Sequence, residues 1–310
     1  MKRFMLLRLI NGETTGKSRM EKSGKRAACA VWVLCASLFF MACAGEETAA
    51  EQAGQSEDWL TERAKQDRRT SQDRRTQPQD SEKVKRISLD DHDGQMILTE
   101  SGDIWLSGSL DGQVVIDAEE DEMVHLYLAG VEIASLNGPA IHIQEAAKTI
   151  VTLVSDTENV LSDSPDYTGW EETPACLYSA CDLTINGGGA LQVYGYYADG
   201  IRSKDRIKLL DGTLAVHAKG DGIRGNDGVY MQEAFVDIES EKNGLRTVNQ
   251  GAGDRGVIEV NGGTLSVVAG KNGICAASDL YLYRGKGSVK AVEEMVRTEG
   301  TAYIAENFIK

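Results

Sequence analysis

The sequence predicts an all-β chain wound as a parallel β-helix, and three observations predict it. Asp199-Gly200-Ile201-Arg202 returns as Asp221-Gly222-Ile223-Arg224, then Asn243-Gly244-Leu245-Arg246, then Asn272-Gly273-Ile274-Cys275, at steps of 22, 22 and 29 residues. A period of this size marks stacked supersecondary units. Within each unit apolar residues alternate, as in Ile207/Leu209 and Leu214/Val216, the signature of short strands with one buried face. The chain of 310 residues has 33 Gly and only 4 Pro, and helical periodicity is absent after residue 86. A β-propeller is the other repeat architecture to weigh, but its blades need about twice this period.

The chain opens on a targeting segment. Lys22, Lys25 and Arg26 precede an apolar run over 27–42, too short for a comfortable membrane span. Ala42-Cys43 resembles a bacterial lipobox, in which Cys43 is lipidated and becomes the mature N-terminus; an ordinary signal peptide cleaved nearby is the alternative. Residues 1–43 carry eight Lys/Arg and two Asp/Glu, which leaves −21 of the formal charge of −15 on residues 44–310. Residues 44–86, rich in Glu, Gln, Asp, Arg and Thr, contain Gln66-Asp67-Arg68-Arg69-Thr70 repeated as Gln72 to Thr76. Such a stretch cannot bury enough apolar surface to fold, so it reads as a disordered tether. The expected organisation is therefore a signal peptide with lipobox (1–43), a tether (44–86) and a folded domain (87–310).

The folded domain holds about −20, which excludes a nucleic-acid partner, since that requires a basic footprint. Candidate strands upstream of the clear repeats are 104–106, 114–116, 124–128, 140–143 and 150–154, which supply the first coils and the N-terminal cap. In the repeats, residues 201–209 align without gaps with 223–231, 177–185 and 274–282. Asp211-Gly212 and Asn261-Gly262-Gly263 separate strands and favour turns with φ > 0. The seven extra residues of the 29-step fall around 248–254 as a loop bulging from one coil. Residues 293–310 supply the other cap. Ile201, Ile223, Leu245 and Ile274 are expected to stack along the core. Cys176, Cys181 and Cys275 lack metal-ligand spacing and read as small coil residues, with one disulfide as the alternative.

Alignment turns polar residues into columns. The first is Asp199, Asp221, Asn243, Asn272. It has a bland reading, Asx side chains holding tight bends and Asn ladders, and a sharper one, calcium, which takes six to eight oxygens from loop carboxylates and carbonyls. Asp205 and Asp227 form a second acidic column. The third is Arg202, Arg224 and Arg246, which either neutralises those acids or recognises uronate carboxylates by the matched fork of guanidinium and carboxylate. The fourth, expected to face outward, is Thr184, Lys208, Tyr230, Glu259 and Tyr281. Tyr230 and Tyr281 lie two coils apart, about 10 Å, a spacing suited to an extended β-linked glycan. Trp170, Tyr194, Tyr196 and Tyr197 are further aromatic candidates. The four histidines share no ligand spacing, and no nucleophile elbow or P-loop is present, so no catalytic residue is assigned.

Gly102-Asp103-Ile104-Trp105-Leu106-Ser107-Gly108, Asp111 to Ala118, Leu126 to Ile133, Asn137-Gly138-Pro139-Ala140-Ile141, Asp182 to Gly187 and the Asp-Gly-Ile-Arg units together resemble a bacterial carbohydrate-binding domain family. Its best-known member is a clostridial surface protein with a pectate-lyase-like, right-handed parallel β-helix. The resemblance spans roughly 87–292 and implies binding of cellulose and acidic sugars, bound calcium and no established catalysis. The chain departs from the pattern at Ala175, Cys176, Cys181 and Ser278, so the acidic columns do not extend to the first and last coils. The expected function is that of an exported, lipid-anchored surface protein, a monomer, that binds polysaccharide non-catalytically with calcium. A calcium-dependent polysaccharide lyase and a purely structural or adhesive surface protein are the alternatives.

Overall fold

The computed structural model describes residues 5–7, 62, 63, 66, 68–170, 172–251 and 253–309. Apart from Met5–Leu7, which pairs antiparallel with Ala302–Ile304, the leader and Cys43 lie outside the described residues. Arg68–Lys310 belong to one compact unit. That unit is all-β and almost free of helix, with a single 3-10 turn at Leu89–Asp91, and its parallel strands close around one apolar core.

The repeats are paired in the register that the alignment predicts. Asp199–Ser203, Arg206–Leu209 and Thr213–Ala218 make one unit of three strands; Ile223–Gly225, Gly228–Met231 and Phe235–Ser240 make the next. Each strand pairs in parallel with its counterpart one repeat later: Ile201 with Ile223, Lys208 with Tyr230, Leu214 with Val236. Leu245 and Ile274 continue the first row. These four aliphatic residues are fully buried, as are Ile207, Val229, Ile258 and Leu280 in the neighbouring row. Each such side chain contributes about 1.5–3 kcal/mol on burial, so the stacked rows are the main source of stability. The upstream strands Gly102–Asp117, Met123–Ala134, Ile141–Glu145 and Lys148–Leu153 join the same rows. At the far end Val296–Thr298 and Ala302–Ile304 extend them, and Phe308 is buried against Gly287. The insertion does bulge: Thr247 donates its hydroxyl to Gly256 O (2.7 Å), closing the loop between them.

Gly212 (φ +89°) and Gly263 (φ +74°) take the left-handed turns expected at Asp211-Gly212 and Asn261-Gly262-Gly263. The glycine of each Asp/Asn-Gly unit serves another purpose. A Cβ at Gly200, Gly222, Gly244 or Gly273 would collide with a core methyl of Val216, Ile238, Val267 or Val289 respectively. Glycine recurs because one wall of the core approaches the other too closely for any side chain.

The tether does need correction. Residues 68–79 are not a free spacer but lie along the sheet, and the first strand of the domain, Lys85–Ser88, begins before residue 87. Arg68 pairs with Asp254 (2.6 Å) and Glu259 (3.3 Å), and Arg75 with Asp103 (2.7 Å). Between them Asp73, with no exposed surface, is held by Lys148, Lys208 and Thr184. The compositional argument missed this because the segment docks through charge pairing and hydrogen bonds, not through apolar burial.

Gly222→Ala is expected to destabilise the domain by about 1–3 kcal/mol through overpacking. Combined with Ile238→Ala, the loss in denaturant midpoint should be smaller than the sum of the two single losses, because the pair shares one clash. Equal and additive losses would contradict the close-approach account.

Candidate functional site

Parallel pairing places the arginines in one row, Arg202 beside Arg224 beside Arg246. The row extends further than the repeat motif indicates. Upstream it continues through Tyr178 to His142. Downstream it passes Cys275 to Arg297. Neighbouring members recur about 4.8 Å apart, the spacing of adjacent strands.

The two ends differ in chemistry. At the upstream end, His142 packs at 5.6 Å from the Tyr178 ring and edge-on to Trp170 at 5.1 Å. Trp170 can lie there because Gly138 has no side chain; a Cβ would sit 2.7 Å from the indole. Burial pushes the His142 pKa down to about 4, so the ring is neutral at neutral pH. His142 Nδ1, Tyr178 Oη and Arg202 Nε are all buried and have no hydrogen-bond partner among the described residues. Buried polar atoms are rarely left unsatisfied, and three on adjacent members of one row point to a ligand.

The middle of the row is crowded with positive charge. Arg202 reaches Asp199 at 3.9 Å and Arg246 reaches Asp221 at 3.0 Å. Arg224 donates Nε to Asn226 (3.2 Å). Burial first, and then the charge of Arg202, lowers the pKa of Arg224, with Arg246 adding to the effect and Asp199 and Asp221 opposing it. A guanidinium does not deprotonate in a protein, so this strain is relieved by bringing in an anion. The downstream end opens into a cleft of about 330 Å³ lined by Arg246, Lys271, Asn272, Arg297, Gln250 and Glu299. Asn272 Oδ1, also buried and without a protein partner, belongs to that lining.

The first acidic column forms a hydrogen-bonded ladder. Asp199 Oδ1 accepts the Asp221 amide (2.8 Å), Asp221 Oδ1 accepts Asn243 Nδ2 (2.6 Å), and Asn243 Oδ1 accepts Asn272 Nδ2 (2.9 Å). All four side chains are buried. Their oxygens are largely committed to protein donors, a donor set that does not fit a cation needing six to eight free oxygens. In the second column, Asp227 Oδ1 accepts Asn249 Nδ2 (2.6 Å), while Asp205 is raised in pKa by burial and by the charges of Asp182 and Asp227. Among the described residues, no three His, Cys, Asp or Glu side chains gather into a ready metal cage.

The aromatic column is correctly aligned but not where it was expected. Thr184, Lys208, Tyr230, Glu259 and Tyr281 do form one row. Tyr230 is 4% exposed, beneath Arg68, and Tyr281 is 2% exposed, so neither offers a ring face to a glycan. Tyr194 instead stacks on His217 (5.3 Å) and Tyr196 lies 6.0 Å from Tyr194, on a different row from the arginines. Tyr197 stacks on Tyr167 (4.1 Å), whose hydroxyl donates to Asp163 (2.6 Å). The three described cysteines are free, with Cys176 and Cys181 buried.

Comparison with known proteins identifies the family. The family profile described as "Carbohydrate-binding domain-containing protein" matches residues 92–306, well over half of the chain. The chain belongs to that family. A relative of the same description from Acetivibrio thermocellus is 28% identical over 232 residues, covering 71% of this chain and 81% of the relative. Among solved structures, a gadolinium derivative of a polysaccharide lyase-like protein from C. thermocellum is similar, with a TM-score of 0.68 and 28% identity, covering 70% of this chain and 89% of that one. This carbohydrate-binding domain protein therefore carries its ligand chemistry on a scaffold of parallel strands shared with a lyase-like protein.

His142 and Tyr178 were missed in the sequence as members of the row. Tyr178 was available, since 177–185 aligns with 201–209; His142 was not, because the step from it to Tyr178 is 36 residues and breaks the period.

Burial, with the charge of Asp221, raises the Asp199 carboxyl from 3.8 to about 6. Its folded form thus holds a proton that the unfolded chain releases, so stability is highest below 3.8 and falls as pH rises towards 6. Asp199→Asn should keep the ladder, as Asn243 and Asn272 do, and flatten that slope. The expected gain above pH 6 is on the order of 1–3 kcal/mol, measured by chemical denaturation at several pH values. An unchanged slope would contradict the assignment.

Proposed function

We propose that the protein is an exported, lipid-anchored surface protein that binds acidic polysaccharide along the row from His142 to Arg297. The scaffold is read as a right-handed parallel β-helix, each circuit of three strands adding one step to the row. The observation that carries the reading is the juxtaposition of unsatisfied His142 Nδ1, Tyr178 Oη and Arg202 Nε with three crowded guanidiniums. Guanidinium forks match carboxylates, and an aromatic patch beside them suits the apolar face of a sugar. A step of about 4.8 Å per strand is close to the rise of one sugar in an extended glycan.

The acidity of the domain makes the row necessary. A polyanion is repelled at long range by a surface of about −20, so productive approach depends on a local positive strip. Calcium is placed by this reading at the second column, Asp205 and Asp227, completed by carboxylates of the glycan itself rather than by a closed protein cage. No residue is assigned a catalytic role, and the family membership supports binding.

Retention on insoluble cellulose and on polygalacturonate, with and without EGTA, tests the reading. Arg224→Ala should weaken binding to polygalacturonate by about tenfold, the loss of one charge-assisted contact. Tyr178→Phe should weaken binding while leaving the unfolding midpoint unchanged or higher, since its hydroxyl satisfies nothing within the protein. Full retention by both variants would reject the row as the binding site. EGTA should weaken polygalacturonate binding and leave any cellulose binding unchanged. Metabolic labelling with a fatty acid should mark the wild-type chain and be lost in Cys43→Ser; an unlabelled wild type would reject the anchor.

A further inference from the structure

Thr184 and Lys208 are neighbours in one row, and Lys148, two residues before their row-mate Ile150, points to the same face; all three side chains meet beneath residues 68–79. The seal is chemically specific. Asp73 Oδ1 accepts hydrogen bonds from Lys148 Nζ and from Thr184 Oγ1 (2.7 Å); Oδ2 accepts from Lys208 Nζ (2.9 Å) and from the Thr70 amide (2.8 Å). Burial alone would raise the Asp73 carboxyl, but these donors hold it well below the usual range. Asn186 Nδ2 donates to the carbonyls of Asp73 (2.7 Å) and Arg75 (3.1 Å), and Asn186 is linked through Thr152 to His125. The surface under the segment is thus a groove of hydroxyl, amide and ammonium groups with a pocket that fits one carboxylate.

Beyond Asp73, the segment is held by the ion pairs of Arg68 and Arg75 and by no apolar burial. From Arg68 to Gln79 its only apolar residue is Pro78, and Thr70, Ser71 and Gln72 are exposed. At Asp73 these contacts are exchangeable: another carboxylate would accept the same hydrogen bonds from Lys148, Thr184 and Lys208.

We propose that Lys148, Thr184 and Lys208 form a second carboxylate-binding site, that Asp73 is its resident occupant, and that an acidic glycan reaches it by displacing residues 68–79. The inference rests on the reading of the protein as a binder of acidic polysaccharide. Because the competitor is tethered, its effective concentration is on the order of millimolar. A single sugar acid competes poorly against it, whereas a polymer that engages several polar groups of the groove at once does not.

The test is a full-length variant in which residues 68–79 are replaced by a Gly/Ser linker of equal length, with polygalacturonate affinity measured by titration calorimetry. The expected result is at least tenfold tighter binding than wild type. Adding Lys148→Ala and Lys208→Ala in that background should abolish the gain. Unchanged affinity, or a gain that survives loss of both lysines, would overturn the proposal. Should the linker variant fail to fold, hydrogen exchange on the wild type decides: amides of 68–79 should exchange faster with saturating polygalacturonate, and equal or slower exchange would overturn it. If Arg224→Ala weakens binding but the linker variant gains nothing, this inference fails alone. If neither protein binds any glycan, the polysaccharide reading fails with it.

Discussion

Parallel pairing at a fixed register is the constraint on which the rest of this structure depends. Once Ile201 is paired with Ile223 and Ile223 with Leu245, every other position in the repeat must sit against its own counterpart about 4.8 Å away. For apolar residues this is favourable, since like stacks on like. For glycine it is obligatory, because the column Gly200, Gly222, Gly244, Gly273 lines the narrowest part of the core. For charged residues it is a problem to be solved, since identical charges are brought together by the same rule.

The two polar columns solve it differently. The acidic column changes identity along the chain, from Asp199 and Asp221 to Asn243 and Asn272, so that carboxylate repulsion is confined to one step and the remainder becomes an amide ladder. The arginine row does not change identity over three repeats. Two of its members lean on the neighbouring acids, and the accumulated positive charge lowers the pKa of the central one. The repeat thus relieves repulsion in one column and retains it in the adjacent one, which is what the proposed anion-binding row requires. Dilution of the acids also matters for the arginines: replacing Asp by Asn at the last two steps leaves the cleft near Arg246, Lys271 and Arg297 with fewer internal counter-charges.

What was legible in the sequence was what register alone determines. Gapless alignment placed Arg202, Arg224 and Arg246 in one row and Tyr230 and Tyr281 in another, and the pairing agrees at every step. Exposure was not legible, because it depends on what covers a row. Alternation of apolar and polar residues says which side chains leave the core; it cannot say that Tyr230 leaves it only to meet Arg68. The tether was misread for a related reason. Apolar content measures the capacity to build a core, and residues 68–79 build none; they dock through a carboxylate on two half-buried lysines. The partner of Asp73 lies 75 residues away at Lys148 and 135 away at Lys208, distances over which no local pattern carries a signal.

Charge distribution ties these features together. Lys148 and Lys208 bring two like charges to one place beside Thr184, and they repel unless a counter-charge lies between them. Asp73 supplies that counter-charge in the resting protein, and the docked segment brings Arg68 and Arg75 against Glu259 and Asp103, acids that would otherwise add to the repulsive field of the domain. The same docking therefore neutralises both signs of charge on one face. The His142–Arg297 row has no such internal partner segment among the described residues, and its orphaned donors and acceptors remain on the inner wall of the site. A surface that is strongly acidic overall, with one basic strip open and one basic pocket filled by its own chain, repels polyanions at long range. Under the proposed function, the strip would favour those whose carboxylates recur at the spacing of the strands, because only they can meet successive arginines without leaving a charge between them.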